Sequence, residues 1–319
     1  MRTFKIGNKD ATCIALGSSY FGSTWEESLC FDLMDKYIEL GGNCLDTARC
    51  YGAQAGALDT NGAAERTVGK YLDARGLKGK IAVVTKGAFP GIETMHISRL
   101  SRGEILDDIK HSLNDLRMDK VDLYLLHRDD VNCEVGPIME TLNELLELGY
   151  TDSIGCSNWT SKRIREANEY AAAHGLKPMQ VSQIQWSLAQ TTPQMQGDET
   201  LVCMNDEEYA FYKKEKFQVM AFASQAKGFF AKGCVSGLES INAKAMKRFG
   251  TEENIKRLMR VKQLSEEKGV SPGALSLKYI TENELQPLAI IGCSKVSQIE
   301  DTMSACTLTK EEADWLRNG

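Results

Sequence analysis

Four polar residues stand at or just beyond the ends of short apolar runs: Asp46, Tyr51, Lys86 and His127. A tyrosine hydroxyl titrates near ~10, too high for efficient proton transfer at neutral pH. A lysine cation beside it favours the phenolate and lowers that value. An aspartate holds the lysine charged and oriented while partly offsetting its effect, and a histidine donates a hydrogen bond to a substrate oxygen. Together they make an oxyanion and proton-delivery site for a carbonyl awaiting a hydride. Singly, each has an ordinary reading: an aspartate caps a loop or helix, a tyrosine packs, a lysine is solvated. Cys50 raises a thiol nucleophile, but no histidine is near it in sequence and the cysteines form no metal-ligand pattern. No metal site is expected, and His96, His111 and His174 read as surface or capping residues.

The elements that must position this set are legible as runs. Thr12–Leu16, Asn43–Asp46, Ile81–Thr85, Val121–Leu126, Ser153–Cys156, Gln180–Ile184, Gln218–Phe222 and Leu288–Ile291 are eight strands by length and composition. Most are apolar throughout, as strands covered on both faces should be. Segments of helical period separate them: Ala63–Ala74, Pro137–Leu148, Ser161–Ala173, Glu207–Lys214, Glu252–Lys268, Pro272–Thr281 and Val296–Met303. Ser101–Glu104 reads as a capping box opening a helix with an Ile105, Ile109, Leu113, Leu116 stripe. Thr24–Glu27 and Thr309–Glu312 read as two more boxes, the first helix stopping at Gly41-Gly42.

Eight alternating strand–helix pairs imply a parallel sheet, and the count favours a closed (β/α)8 barrel, an α/β fold, as one domain over residues 1–319. No G-x-G-x-x-G follows the first strand, which disfavours an open dinucleotide-binding sheet. The turn-rich stretches Gly52–Gly62, Gly87–Leu100, Ala189–Asp206 and Cys234–Gly250 follow strands, on the face where barrel enzymes keep their sites.

Composition limits the alternatives. The chain has 319 residues and net charge −6, from 38 basic and 44 acidic side chains, which argues against a nucleic-acid or anionic-membrane partner. Gly 27 and Pro 6 are too few for a disordered or collagen-like chain. Ten scattered cysteines with no C-x-x-C, no apolar leader in Met1–Asp10 and no run of membrane-spanning length lead to the expectation of a reduced, cytoplasmic protein.

Leu45–Gly52, Glu65–Lys70, Val84–Lys86, Asp122–Arg128, Ile154–Asn158, Gln183, Val219–Ser224 and Ile291–Gln298 together resemble the aldo-keto reductase family, in order along nearly the whole chain. The resemblance implies a barrel that binds an extended NADP(H) without a Rossmann domain and reduces an aldehyde or ketone. By position, the family's catalytic tetrad falls on Asp46, Tyr51, Lys86 and His127, with Tyr51 as proton donor. Cofactor contacts fall on Gly17, Ser18, Asp46, Ser157, Asn158, Gln183, Phe222, Ala223, Ser224, Gln225, Gly228, Gly292, Ser294, Lys295, Gln298 and Asp301. Phe222 matches the ring that stacks on nicotinamide in many members, with barrel packing as the plainer reading.

Departures matter too. Gln298 stands where some members carry an arginine for the extra phosphate of NADP, leaving Ser294 and Lys295 to read it. Ala53–Ala57 is an added Gly/Ala-rich stretch, and Asp129 replaces a frequent proline. Trp159 and Trp186 suit stacking on a sugar ring or an aromatic carbonyl, and suit core packing equally. Two other functions stay open at this point: a nicotinamide-binding regulatory subunit without turnover, and a barrel lyase or isomerase. Neither the physiological substrate nor the oligomeric state is legible.

Overall fold

The computed structural model describes residues 3–52, 61–91, 94–304 and 306–319. A hairpin, β1 (Thr3–Ile6) and β2 (Lys9–Thr12), comes first. Eight parallel strands then close a barrel in chain order: β3 (Ile14–Gly17), β4 (Cys44–Asp46), β5 (Ala82–Gly87), β6 (Leu123–Leu126), β7 (Ile154–Ser157), β8 (Val181–Gln185), β9 (Gln218–Phe222) and β10 (Leu288–Ile291). All eight runs read from sequence are found. The first is shifted: Thr12 belongs to the hairpin, and the barrel strand starts at Ile14.

Around the barrel lie α1 (Glu27–Glu39), α2 (Ala63–Arg75), α3 (Arg102–Leu116), α4 (Val135–Glu147), α5 (Ser161–Ala173), α6 (Pro193–Gln196), α7 (Asp206–Glu215), α8 (Phe229–Ser236), α9 (Ala243–Phe249), α10 (Glu252–Lys268), α11 (Pro272–Thr281), α12 (Val296–Thr302) and α13 (Lys310–Asn318). Thr309 and Glu312 form the full reciprocal capping box of α13. Ser101 caps α3 by accepting from the Glu104 N–H. The expected box at Thr24 does not form: α1 begins at Glu27 with Glu26 at its cap, and Thr24 lies two residues too early. Short helices α6, α8 and α9 occupy stretches that sequence read as loops, or run into them. No helix among the described residues is long and apolar enough to cross a membrane. All ten cysteines are free thiols.

Period-two alternation sorts each strand between two cores. Ala15, Cys44, Ala82, Val84, Leu123, Leu125, Val181, Met220, Leu288 and Ile290 fill the barrel, while Leu16, Leu45, Val83, Tyr124, Leu126, Ile154 and Ile184 pack outward against the helices. Phe4, Ile6 and Ala11 of the hairpin join the inner cluster at the strands' N-terminal ends, so the hairpin plugs the barrel floor. Its turn is pinned: Gly7 sits at φ 55°, and a Cβ there would come within 2.7 Å of the Asp122 carbonyl oxygen. Lys9 secures the same place, donating to the Ile81 carbonyl at 2.8 Å and to Asp122 at 3.0 Å.

Candidate active site

The inward parity carries the functional side chains to the opposite end. Asp46 lies two residues beyond inward Cys44, Lys86 beyond Val84, His127 beyond Leu125, Gln183 beyond Val181 and Phe222 beyond Met220. They therefore converge at the strands' C-terminal ends. Lys86 is fully buried, and its Nζ donates to Asp46 Oδ2 at 2.8 Å, to the Thr47 carbonyl at 2.7 Å and to Tyr51 Oη at 3.4 Å. Gln183 Nε2 donates to the other oxygen of Asp46 at 2.8 Å. Ser18 holds the Asp46 backbone, its N–H and its hydroxyl both donating to the Asp46 carbonyl at 3.0 Å. Gly17 permits the close packing of β3 on β10, since a Cβ would meet Ile290 Cγ2 at 2.9 Å.

Electrostatics follow from burial. Lys86 loses hydration, but Asp46 and Tyr51 more than compensate and hold its pKa above the ordinary lysine value. The expected lowering of the Tyr51 hydroxyl by Lys86 does not win. Burial pushes it up to about 12, with the lysine pulling against that rise, so the phenol keeps its proton. Burial, with Arg128 and Lys86 nearby, drives His127 well below the ordinary histidine value and keeps it neutral.

The stretch leading to Tyr51 is anchored by Arg49. Its N–H donates to the Lys86 carbonyl at 2.8 Å, and its guanidinium donates to Asp115 at 2.6 Å and lies 3.5 Å from buried Glu65. The added stretch Ala53–Ala57 lies outside the described residues.

A second group of residues adjoins the first. Ser157 donates to the Gln183 carbonyl at 2.9 Å. Asn158, at φ 59°, donates to Ser157 Oγ at 3.0 Å and accepts from the Val202 N–H at 3.2 Å. Phe222 is partly exposed at the end of β9 and packs on the inner cluster. Beyond it, Ala223, Ala226, Lys227 and Gly228 adopt left-handed backbone within one short segment. Within it the Ala226 and Gly228 N–H groups donate to the Ala223 and Gln225 carbonyls at 2.8 and 2.9 Å, which closes the segment into a tight turn. The Ser224 hydroxyl is committed to the Ile290 carbonyl at 2.7 Å, and Gln225 donates to Thr302 at 2.9 Å, tying this segment to α12. After β10, Gly292 leads to a turn in which Gln298 accepts from the Ser294 N–H at 2.8 Å. Lys295 precedes α12 without capping it, and Asp301 accepts from Ser271 at 2.8 Å.

Two sequence expectations are corrected. Trp159 is completely buried, donating to the Arg128 carbonyl at 3.3 Å beneath the Arg163 guanidinium. Trp186 shares the outward parity of Ile184 and packs edge-on to Tyr209 with centroids 6.1 Å apart. Neither offers a face to a ligand in the mouth. The aromatic ring that does adjoin the tetrad is Phe89, its ring centroid 4.9 Å from that of His127 and 5.0 Å from the Arg128 guanidinium. Sequence gave no sign of it beyond its position three residues after Lys86. Cys50 has no histidine near it in sequence, yet its Sγ lies 3.4 Å from His127 Nδ1. Contacts across 77 residues leave no local trace in sequence.

Beside the mouth opens a cavity of about 460 Å3, bounded by Ala88, Met95, Leu100, Val131, Asn158 and Leu201, with Arg99, Arg128, Asp129 and Glu199 at its edges. Arg128 braces one wall, donating to Thr200 at 2.9 Å and to Asp198 at 3.1 Å. Among the described residues, no cluster of histidine, cysteine and carboxylate side chains is arranged to hold a metal ion.

The geometry can be set beside known proteins. The model of the Aldo/keto reductase family matches residues 13–318. A norsolorinic acid reductase of Emericella nidulans is 25% identical over 318 residues, covering 92% of this chain and 73% of that protein. An aryl-alcohol dehydrogenase of Pestalotiopsis microspora is 26% identical over 186 residues, 54% of this chain and 46% of its own. An aldo/keto reductase from Klebsiella pneumoniae, solved with NADP and acetate, superposes with a TM-score of 0.72 at 19% identity, covering 99% of this chain and 94% of that one.

Proposed function

The chain belongs to the aldo/keto reductase family, and from that premise we propose that it reduces an aldehyde or ketone to an alcohol at the expense of NADPH, with Tyr51 as the proton donor. One observation carries the assignment: Lys86 Nζ bridges Asp46 and the Tyr51 hydroxyl at the barrel mouth. The surroundings fit a nicotinamide dinucleotide. Ser157, Asn158 and Gln183 present both amide and hydroxyl groups, which a carboxamide needs. The Gly292–Gln298 turn brings the Lys295 cation to this rim, which suits a phosphate. Phe222 offers a ring at the strand end between them.

Bound there, reduced nicotinamide supplies the hydride. The carbonyl oxygen then takes the Tyr51 proton, and the phenolate left behind is stabilised by the Lys86 cation. Asp46 keeps Lys86 charged and aimed. Neutral His127 donates a hydrogen bond to the same oxygen and sets its angle. Water returns the proton to Tyr51 after the alcohol leaves. Burial keeps the proton on the Tyr51 hydroxyl through the neutral range, and Lys86, which pulls against that rise, favours its departure once the carbonyl oxygen takes up charge.

The cavity beside the mouth, walled by Met95, Leu100 and Leu201 near Phe89, favours an aromatic carbonyl substrate. Relatives named for norsolorinic acid and for aryl alcohols point the same way. The test follows NADPH absorbance with a panel of aromatic and aliphatic aldehydes. Aromatic aldehydes should consume the cofactor fastest, and Tyr51→Phe should lose roughly 10²–10⁴-fold in turnover while binding NADPH as before. Cofactor binding without consumption by any carbonyl would overturn the reading.

A further inference from the structure

We propose that Cys50 is a positioning residue whose thiol donates to His127 Nδ1 and thereby fixes the histidine in its Nε2–H tautomer. The inference rests on the carbonyl-reducing function above and gives it a residue that neither the tetrad nor the cofactor contacts include.

The contact is Sγ to Nδ1 at 3.4 Å, within reach of a hydrogen bond involving sulfur. Two cations, Lys86 and Arg128, stand near His127 and oppose a third charge, so the ring carries one proton and must place it on one nitrogen. Burial likewise keeps the proton on Cys50. The S–H needs an acceptor, and among the described residues His127 Nδ1 is the only hydrogen-bond partner of Cys50. A thiol is weak both as donor and as acceptor, so the direction is set by the better acceptor, which is the imidazole lone pair. The favoured arrangement is therefore S–H to Nδ1, leaving the proton on Nε2.

The ring is also held in plane. Tyr51 meets it edge-on at 5.8 Å between centroids, and Phe89 packs against it at 4.9 Å, tilted by 57°. Packing thus fixes where the two nitrogens lie but is blind to which one bears hydrogen. A carbonyl oxygen only accepts, so the Nδ1–H tautomer would turn a lone pair toward it, and the Nε2–H tautomer a donor. A thiol does this without adding charge beside Lys86.

The experiment uses the full chain with nitrogen-labelled histidine. Four histidines give four pairs of ring-nitrogen signals, and His127→Asn identifies the pair of interest. The parent should show neutral, Nε2-protonated His127 between about pH 6 and 8. Cys50→Ala should populate the Nδ1–H form and lower turnover about 3- to 10-fold with cofactor affinity unchanged, the scale of one hydrogen bond. Cys50→Ser, which restores a donor, should recover the tautomer and most of the rate. Should Cys50→Ala not fold, Cys50→Val serves in its place. An Nδ1–H tautomer in the parent, or a tautomer unmoved by losing the thiol, overturns the proposal. The spectrum needs no substrate, so a protein inert to every carbonyl would sink the functional reading while the tautomer is still decided.

Discussion

Gln183 and Asp46 face each other across the barrel, the glutamine Nε2 donating to the carboxylate Oδ1 at 2.8 Å. Their strands, β8 and β4, are diametrically placed in the ring of eight. With Lys86 on Oδ2, both oxygens of this buried acid are satisfied. Gln183→Leu should cost about 1–3 kcal/mol, the usual penalty for an orphaned buried acceptor. Urea unfolding measures it. Cofactor titration should also show weaker binding, since the same amide faces the proposed nicotinamide site. An unchanged unfolding midpoint would mean Asp46 does not depend on this bond.

Removing Lys86 should be worse for stability than removing the pair. Lys86→Met leaves Asp46 charged and buried with only Gln183 beside it, a loss of about 3–5 kcal/mol. Adding Asp46→Asn should restore most of the melting temperature and none of the turnover. Recovery of activity in the double variant would free Tyr51 from any need for the cation.

Glu65 predicts a pH signature. Burial pushes its pKa up to about 7 from 4.5, although Thr85 donates to it at 2.5 Å. Between those values the unfolded chain has released a proton that the folded chain retains, so this group's contribution to stability falls as pH rises through the window and is flat above it. Glu65→Gln should remove that slope, gaining roughly 1–3 kcal/mol on the parent from pH 5 to pH 8. Denaturant curves at several pH values check this, and parallel parent and variant profiles would contradict it.

For the cofactor, NADPH should bind more tightly than NADH, with a modest margin because Gln298 is uncharged and spends its carbonyl oxygen on the Ser294 N–H. Lys295→Ala should weaken NADPH selectively, since a lysine adds a charge-assisted contact to the extra phosphate. Fluorescence titration of both cofactors decides it. Equal weakening of the two would remove Lys295 from that role.

Much of this arrangement was readable in the chain because it follows from period two. Once Asp46, Lys86 and Gln183 are seen to continue the inward positions of their strands, their convergence is a matter of geometry. The same rule would have placed Trp186 outward with Ile184. Illegible were relationships set by tertiary packing alone: the Cys50–His127 contact, the Phe89 ring against His127, and the extent to which burial outweighs Lys86 at the Tyr51 hydroxyl. The opening hairpin was missed because its strands are four residues each and too polar to register as runs.

That hairpin sets the order in which the protein can be finished. Phe4 and Ile6 precede every barrel strand in the chain, and the inner cluster they join includes Leu288 and Ile290 of the last barrel strand. At usual synthesis rates the interval between them is roughly 15–60 s, during which the floor piece has no complete room to close. A nascent chain therefore carries this apolar pair outside a closed barrel until β10 has been made. Chains that stall before β10 share one exposed feature, which a chaperone or protease can recognise as the mark of an unfinished barrel.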